Sequence, residues 1–271
     1  LLSRCGLGLA RQVRATSQPQ ANQKTIWIHA LSVGEVTSAA PLVRGLKADM
    51  ASVRLIFSAA TKSGEEVARR LFAEESVVII SAPLDLGPVV PYFLRQIKPD
   101  LFILVETDFW PHWLACVAQN NVPLLLANGR ISAHSFATYQ RFCLLFRPMF
   151  ARFTLLSMQT KNDADKIKAL GIPAGKVQTL GNLKFDASLG ATLNPKTPAA
   201  SISREVLGLA PDTPLWICGS THRGEEELIL QAFCQLRAQV PDLLLMIAPR
   251  DIGRAEKIRA LACSSGVAGR L

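Results

Sequence analysis

The sequence predicts an α/β protein: an open parallel sheet covered by helices, followed by the first part of a second unit of the same kind. Three observations lead there. Short apolar, β-branched runs alternate with helical patterns along the chain. Several runs are apolar on consecutive residues, as in "LFILV" at Leu101–Val105, which suits parallel strands buried on both faces. The alternation pauses at "ASLGATLNPKTPAASIS", residues 187–203, a Pro-, Ser-, Thr- and Gly-rich stretch without apolar periodicity, and then resumes.

Taken in order, residues 1–24 form a basic leader. Its apolar stretch is short and broken by Arg4, Arg11 and Arg14, unlike a secretory signal. It reads either as an amphipathic segment on a membrane surface or as a solvated leader. Residues 25–186 then carry strands at Thr25–Ala30, Val53–Ser58, Val77–Ser81, Leu101–Val105, Pro123–Ala127, Thr154–Met158 and Val177–Leu180. Between them lie helical patterns at Val36–Lys47, Glu65–Phe72, Val89–Ile97, His112–Asn120 and Asn162–Leu170, the last closed by Gly171. After the 187–203 connection, residues 204–271 give strand "LWICGS", helix Glu225–Gln239, strand "LLLMIAP" and helix Arg254–Cys263. Two strand–helix pairs are too few to cover both faces of a sheet, so this second domain reads as incomplete. The chain begins without Met and ends just after a helical pattern, so both ends read as cut.

Composition narrows the partners. At 271 residues, with 49% hydrophobic and 19% charged, the chain can build real cores and is not a disordered polymer. The excess of 30 Lys and Arg over 21 Asp and Glu points to anionic partners: nucleotides, phosphorylated lipids, a membrane surface or nucleic acid. Six cysteines show no CxxC and no metal-ligand spacing, which favours a reducing compartment. No apolar run reaches the ~18–20 residues of a membrane span.

In open parallel sheets ligands collect beyond the C-terminal strand ends. Glu35 follows the first strand in "SVGE", Glu106 follows the fourth in "ETDFWPHW", and Lys184 follows the seventh in "GNLKFD". Two carboxylates and an ammonium on one rim suit acid–base chemistry with developing charge. Each also has a plainer role. Ser32-x-x-Glu35 has capping-box spacing, Glu106 has the option of capping the next helix or pairing with Arg130, and Lys184 that of a solvated loop lysine. A metal held by "ETD" lacks a further acidic cluster, and His29, His112, His134 and His222 share no ligand spacing. In the second domain, Thr221 and His222 of "GSTHRGEEE" are candidate ligand contacts, with Ser220 or Thr221 able to cap the helix. Arg250, after Pro249, offers a planar fork for phosphate.

In this order, "HALSVGEV", "ETDFWPHWLA", "VPLLLANGRIS", "DADKIKALG", "GNLKFD" and "STHRGEE" resemble the 3-deoxy-D-manno-octulosonic acid (Kdo) transferases of lipopolysaccharide synthesis. The resemblance implies a GT-B glycosyltransferase: two Rossmann-like domains, a CMP-Kdo donor, a lipid A precursor as acceptor, and neither metal nor cofactor. It implies Glu35 as general base, Glu106 and Lys184 as stabilisers of the transition state, and Pro249 and Arg250 as the start of a CMP-binding motif. A place on the cytoplasmic face of the bacterial inner membrane follows, with no nucleic acid partner. The segment "RFCLLFRPMFARF", residues 141–153, interleaves Arg141, Arg147 and Arg152 with four phenylalanines and suits a lipid surface or a core-facing helix.

The chain departs from the family pattern at Asp251, where a histidine is usual, at Lys62 in "SAATKSG", and at Gly129, where alanine is usual. It also stops before the family's remaining nucleotide-binding motifs, so the 271 residues alone are expected to be inactive. The rival readings are a GT-B transferase using a UDP-sugar on a lipid acceptor and a non-catalytic lipid A-binding remnant. A dinucleotide oxidoreductase is disfavoured, because no GxGxxG follows the first strand.

Overall fold

The computed structural model describes residues 2–15, 23–50, 52–186, 204, 205 and 208–269; the 187–203 connection lies outside them. The chain divides into two compact units, Leu1–Thr197 and Pro198–Leu271.

In the first unit, seven described strands form one parallel sheet: β1 (Thr25–Ala30), β2 (Arg54–Ala59), β3 (Val78–Ser81), β4 (Leu101–Val105), β5 (Leu124–Gly129), β6 (Leu155–Met158) and β7 (Val177–Thr179). Their lateral order is β3-β2-β1-β4-β5-β6-β7, so the direction of winding reverses between β1 and β4. The consecutive apolar residues divide between two cores by strand alternation. Trp27, Ile56 and Phe102 pack into one, with Phe93 and Trp113 beneath them. Ile26, Ile28, Leu55, Phe57 and Ile103 enter the other.

The helices are α1 (Leu9–Ala15), α2 (Val33–Ser38), α3 (Ala40–Asp49), α4 (Lys62–Leu71), α5 (Val89–Ile97), α6 (Pro111–Gln119), α7 (Ala133–Arg141), α8 (Cys143–Ala151) and α9 (Lys161–Ala169). The single helix expected at Val36–Lys47 is two. It starts earlier, at Val33, and breaks at Ala39, because Pro41 has no N–H to continue the ladder. The stretch 141–153 also divides: Met149, Phe150 and Phe153 are buried, while Phe142, Leu144 and Leu145 are exposed.

The leader expectation needs correction. Leu9 and Val13, one helical turn apart, are buried in the same core as Trp27, and α1 packs against α5 and β3. Arg4 donates from Nε to the Ala82 carbonyl at 3.1 Å, and the Leu84 N–H donates to the Arg4 carbonyl at 3.0 Å. Residues 2–15 are therefore part of the first unit. Arg11 and Arg14, exposed on the other side of α1, mask the apolar pattern in the sequence.

The second unit has a two-stranded parallel sheet, β8 (Leu215–Thr221) and β9 (Leu244–Pro249), with α10 (Glu225–Arg237) and α11 (Ala255–Ser264). Ile217 and Leu244 remain exposed.

One irregularity shapes the first unit's rim. The register of β5 against β6 shifts between Leu126 and Gly129, where Asn128 adopts a left-handed φ of 59°. A Cβ on Gly129 would lie 2.6 Å from Leu126 Cδ2 and 2.8 Å from Met158 Sδ, both on fully buried residues. Gly129→Ala is expected to force both side chains to shift and to cost about 1–2 kcal/mol. A lower urea midpoint at constant m-value would show this; an unchanged midpoint would mean that the pocket accepts a methyl group.

Candidate functional site

The winding reversal leaves the C-terminal ends of β1 and β4 adjacent, with their connections leading to opposite faces. Glu35 leaves the first end and Glu106 the second, so two carboxylates meet where a ligand crevice forms in such sheets.

Glu35 lies in the first turn of α2 and is 8% exposed. Its Oε2 accepts the Leu31 N–H at 2.5 Å, and the Ser32 N–H supports the same carboxylate. This is half of a capping box. Ser32, the N-cap, makes no side-chain cap bond. The bonds fix where the carboxylate points, while burial, together with the charges of Glu106 and Asp108, pushes its pKa from 4.5 up to about 7 despite the opposing backbone bonds. A carboxylate so placed is a base matched to neutral pH.

Glu106 is a non-glycine residue at φ 64°, turned sharply off the end of β4. Its side chain explains how that turn is held. Oε1 accepts from Ser38 Oγ at 3.2 Å and from Asn128 Nδ2 at 3.3 Å, and lies 3.6 Å from Lys184 Nζ. It neither caps α6 nor pairs with Arg130. Lys184 comes from the segment after β7, which crosses the rim in steps. The Leu180 N–H bonds to the Met158 carbonyl, Asn182 to the Gln159 side chain, and the Leu183 N–H to Asn128 Oδ1 at 3.1 Å. The three residues expected from the sequence are thus brought together.

Residues missed in the sequence complete the arrangement. Asn128, 2% exposed, bridges Glu106 and the Lys184 segment through the two ends of one amide. Asp108 Oδ2 lies 2.9 Å from Nε2 of buried His29. Asn128 follows an apolar run in "LLLANG", a recognisable strand-end position; nothing comparable marks His29, inside its strand.

In the second unit, Glu226 is 1% exposed and takes both Arg254 nitrogens at 2.9 Å plus the Thr221 hydroxyl. Thr221, expected at the ligand, is itself 4% exposed, and its hydroxyl donates to Glu226 Oε1 at 2.9 Å. The N-cap of α10 is Gly224, not Ser220 or Thr221. His222 is exposed, its N–H bonded to Glu225 Oε2 at 2.7 Å. Arg250 is exposed just beyond Pro249, its N–H bonded to the Thr221 carbonyl. Asp251 caps the turn Ile252–Arg254 by accepting the Gly253 N–H at 3.0 Å. A cavity of about 810 Å³ on this unit is lined by Leu230, Phe233, Leu244 and Ile258, with Asp212, Asp242, Arg237 and Arg259 also on its wall.

The family described as "3-Deoxy-D-manno-octulosonic-acid transferase (kdotransferase)" matches residues 7–187. The chain belongs to this family. A 3-deoxy-D-manno-octulosonic acid transferase of Haemophilus influenzae is 34% identical over 225 residues, covering 83% of this chain and 51% of that protein. One of Chlamydia muridarum is 30% identical, covering 75% of this chain and 46% of its own. The chain spans about half the length of the curated relatives it matches. Among solved structures, UDP-GlcNAc 2-epimerase of Neisseria meningitidis superposes with a TM-score of 0.66 at 12% identity, over 89% of this chain and 70% of that one. A glycosyltransferase of Rickettsia africae gives 0.56 at 12% identity, over 91% and 66%. At such identities they speak for the fold, the Rossmann-like GT-B type.

Within the Kdo transferase family the match starts at residue 7, which agrees with α1 being built into the first unit. Two of the departures find a physical setting. Gly129 sits under Leu126 and Met158, and the Asp251 carboxylate is occupied by a backbone N–H. Nothing in the structure explains Lys62, exposed at the start of α4.

The Glu35 geometry has a stability consequence. Its folded pKa lies above its ordinary value, so the folded state holds this proton more tightly. The site costs least below about pH 4.5, and stability is lost as pH rises through about 7. Glu35→Gln is expected to stabilise the fold over the parent increasingly between pH 5 and pH 8, by on the order of 2–3 kcal/mol at the upper end, read as a growing difference in Tm. A pH-independent difference would mean that the carboxylate is not strained by burial.

Proposed function

We propose that the protein carrying this chain transfers a Kdo residue from CMP-Kdo to a sugar hydroxyl of a lipid A precursor, with inversion and with Glu35 as general base. The observation that carries this reading is the anchored, buried Glu35 carboxylate beside the Glu106–Lys184 pair at the strand-order reversal. The acceptor oxygen forms a bond to the anomeric carbon as Glu35 removes its proton. The bond from that carbon to the CMP phosphate oxygen breaks, and its electron pair leaves with CMP. Lys184 supplies positive charge near the growing negative charge, and Glu106 keeps that ammonium in place. On the second unit, the exposed Arg250 offers a guanidinium for the CMP phosphate and His222 a further polar contact. The two-stranded sheet with its exposed Ile217 and Leu244 supports the reading that these 271 residues alone do not turn over.

CMP release from CMP-Kdo, with a lipid A precursor as acceptor, tests this in protein of the relatives' full length. Glu35→Gln is expected to lower turnover about 10²–10⁴-fold while the fold persists. The parent's rate is expected to rise through about pH 7 as Glu35 loses its proton. Retained turnover in Glu35→Gln would reduce the glutamate to its capping role. Absence of transfer by the parent, with transfer from a UDP-sugar in its place, would assign a different donor.

We further propose that the first unit meets the cytoplasmic leaflet of the inner membrane through α7 and α8. Phe142, Leu144 and Leu145 are 52%, 97% and 63% exposed, and the Arg141 guanidinium stacks over Phe142. Apolar insertion beside a cation suits anionic head groups. Replacing Leu144 and Leu145 together by Gln is expected to reduce flotation with phosphatidylglycerol vesicles about tenfold or more. Unchanged flotation would reject this face.

A further inference from the structure

Asn128 holds the segment that carries Lys184 by two routes. It is the penultimate residue of β5, buried, in a left-handed turn that asparagine tolerates better than most residues. By the first route, its Oδ1 accepts the Leu183 N–H at 3.1 Å, which leaves Nδ2 to donate to Glu106 Oε1 at 3.3 Å. By the second, its backbone carbonyl accepts Gln159 Nε2 at 3.0 Å. Gln159 Oε1 then accepts Asn182 Nδ2 at 3.4 Å, and Asn182 Oδ1 accepts the Lys184 N–H at 3.0 Å. Backbone groups fix the sense of each amide, since the Asn128 carbonyl only accepts and the Leu183 and Lys184 N–H groups only donate. None of these carboxamides can be turned over without setting like groups against each other.

What this frame holds in place is an ammonium. Lys184 Nζ lies 3.6 Å from Glu106 Oε1, the same oxygen that accepts from Asn128 and Ser38. The lysine side chain is 55% exposed, and a chain of that length and exposure ordinarily samples many rotamers. Here the Lys184 backbone and, through Glu106, its head group both trace back to one buried residue. The task demands an amide. Aspartate accepts without donating, and a leucine of similar size does neither.

We propose that Asn128 is a positioning residue for Lys184, setting the segment that carries the lysine and, through Glu106, the place of its ammonium. This rests on the reading of Lys184 as the positive charge that meets the departing CMP, and it deepens that reading by naming what holds the charge. Two variants separate the contacts. In Asn128→Asp the turn is still tolerated and the carboxylate still accepts the Leu183 N–H, but its other oxygen faces Glu106 as acceptor against acceptor. Asn128→Gly keeps the left-handed turn and removes both side-chain bonds.

In protein of the relatives' full length, Asn128→Asp is expected to lower kcat about 10–100-fold, with KM for CMP-Kdo changed by less than about threefold. The same substitution made in Lys184→Ala is expected to lower kcat by no more than about twofold further, because the group it positions is gone. A general structural fault would lower kcat by the same factor in both backgrounds. That result, or an unchanged kcat in Asn128→Asp, overturns the proposal. A second measurement needs no turnover: hydrogen exchange at the Leu183 amide in the 271-residue chain. In Asn128→Gly this amide is expected to exchange about tenfold faster or more, with the β1 amides unchanged. Unchanged exchange at Leu183 overturns the proposal by itself. Lys184→Ala with the parent's kcat would instead overturn the reading of Lys184 as the stabilising charge, while the exchange still decides what holds its segment.

Discussion

The contact on which the rim depends is the one between the Glu106 carboxylate and its three donors. Ser38 comes from α2, Asn128 from the end of β5, and Lys184 from the segment after β7, so one side chain ties together pieces far apart in sequence. The backbone at Glu106 turns through a left-handed conformation that costs a non-glycine residue about 1–2 kcal/mol. The hydrogen bonds and the ion pair offset that cost. They also make a second carboxylate tolerable nearby, because an acid facing only another acid would be driven neutral.

The same arrangement sets function against stability. Glu35 is buried beside like charges, held by backbone N–H groups and without a cation at hydrogen-bond range among its described contacts. Each feature that makes it a stronger proton acceptor also makes its ionised form less comfortable in the folded chain. Glu226 in the second unit shows the opposite solution. Its side chain is also shielded from solvent, but Arg254 grips it with two bonds of 2.9 Å and holds its pKa below the ordinary value. A carboxylate matched that way is a structural pin, and the contrast distinguishes a reactive acid from a fixed one.

Much of this was legible in the sequence, and the remainder has identifiable causes. Apolar runs marked the seven strands of the first unit within a residue or two, because both faces of a parallel sheet are buried. Apolar spacing continues across Ala39 and so predicts one helix after β1, whereas Pro41, lacking an N–H, breaks the ladder there. Glu35, Glu106 and Lys184 were found from a positional rule about strand ends, which needs no knowledge of neighbours. Asn128, Ser38, His29 and Asp108 matter through partners across the sheet, and those partners depend on a lateral order that linear patterns leave open. The run Glu225-Glu226-Glu227 makes the same point: three identical residues in a first turn have different fates, decided by where Arg254 falls.

The first strand–helix turn brings these lines together. In a Rossmann-like unit, the N–H groups exposed there are the natural seat for a ligand's phosphate. Here the Leu31 N–H is already taken by Glu35, and α2 is a six-residue helix broken before its dipoles can accumulate. Donors that elsewhere receive an external anion are used to hold an internal one. Those N–H groups act against the burial that raises its proton affinity, so they serve orientation more than basicity. Desolvation outweighs them, and the acids on the β4 connection add to it. Orientation and proton affinity are therefore coupled: the bonds that aim the carboxylate also lower its hold on the proton, and a change that loosens them releases both at once.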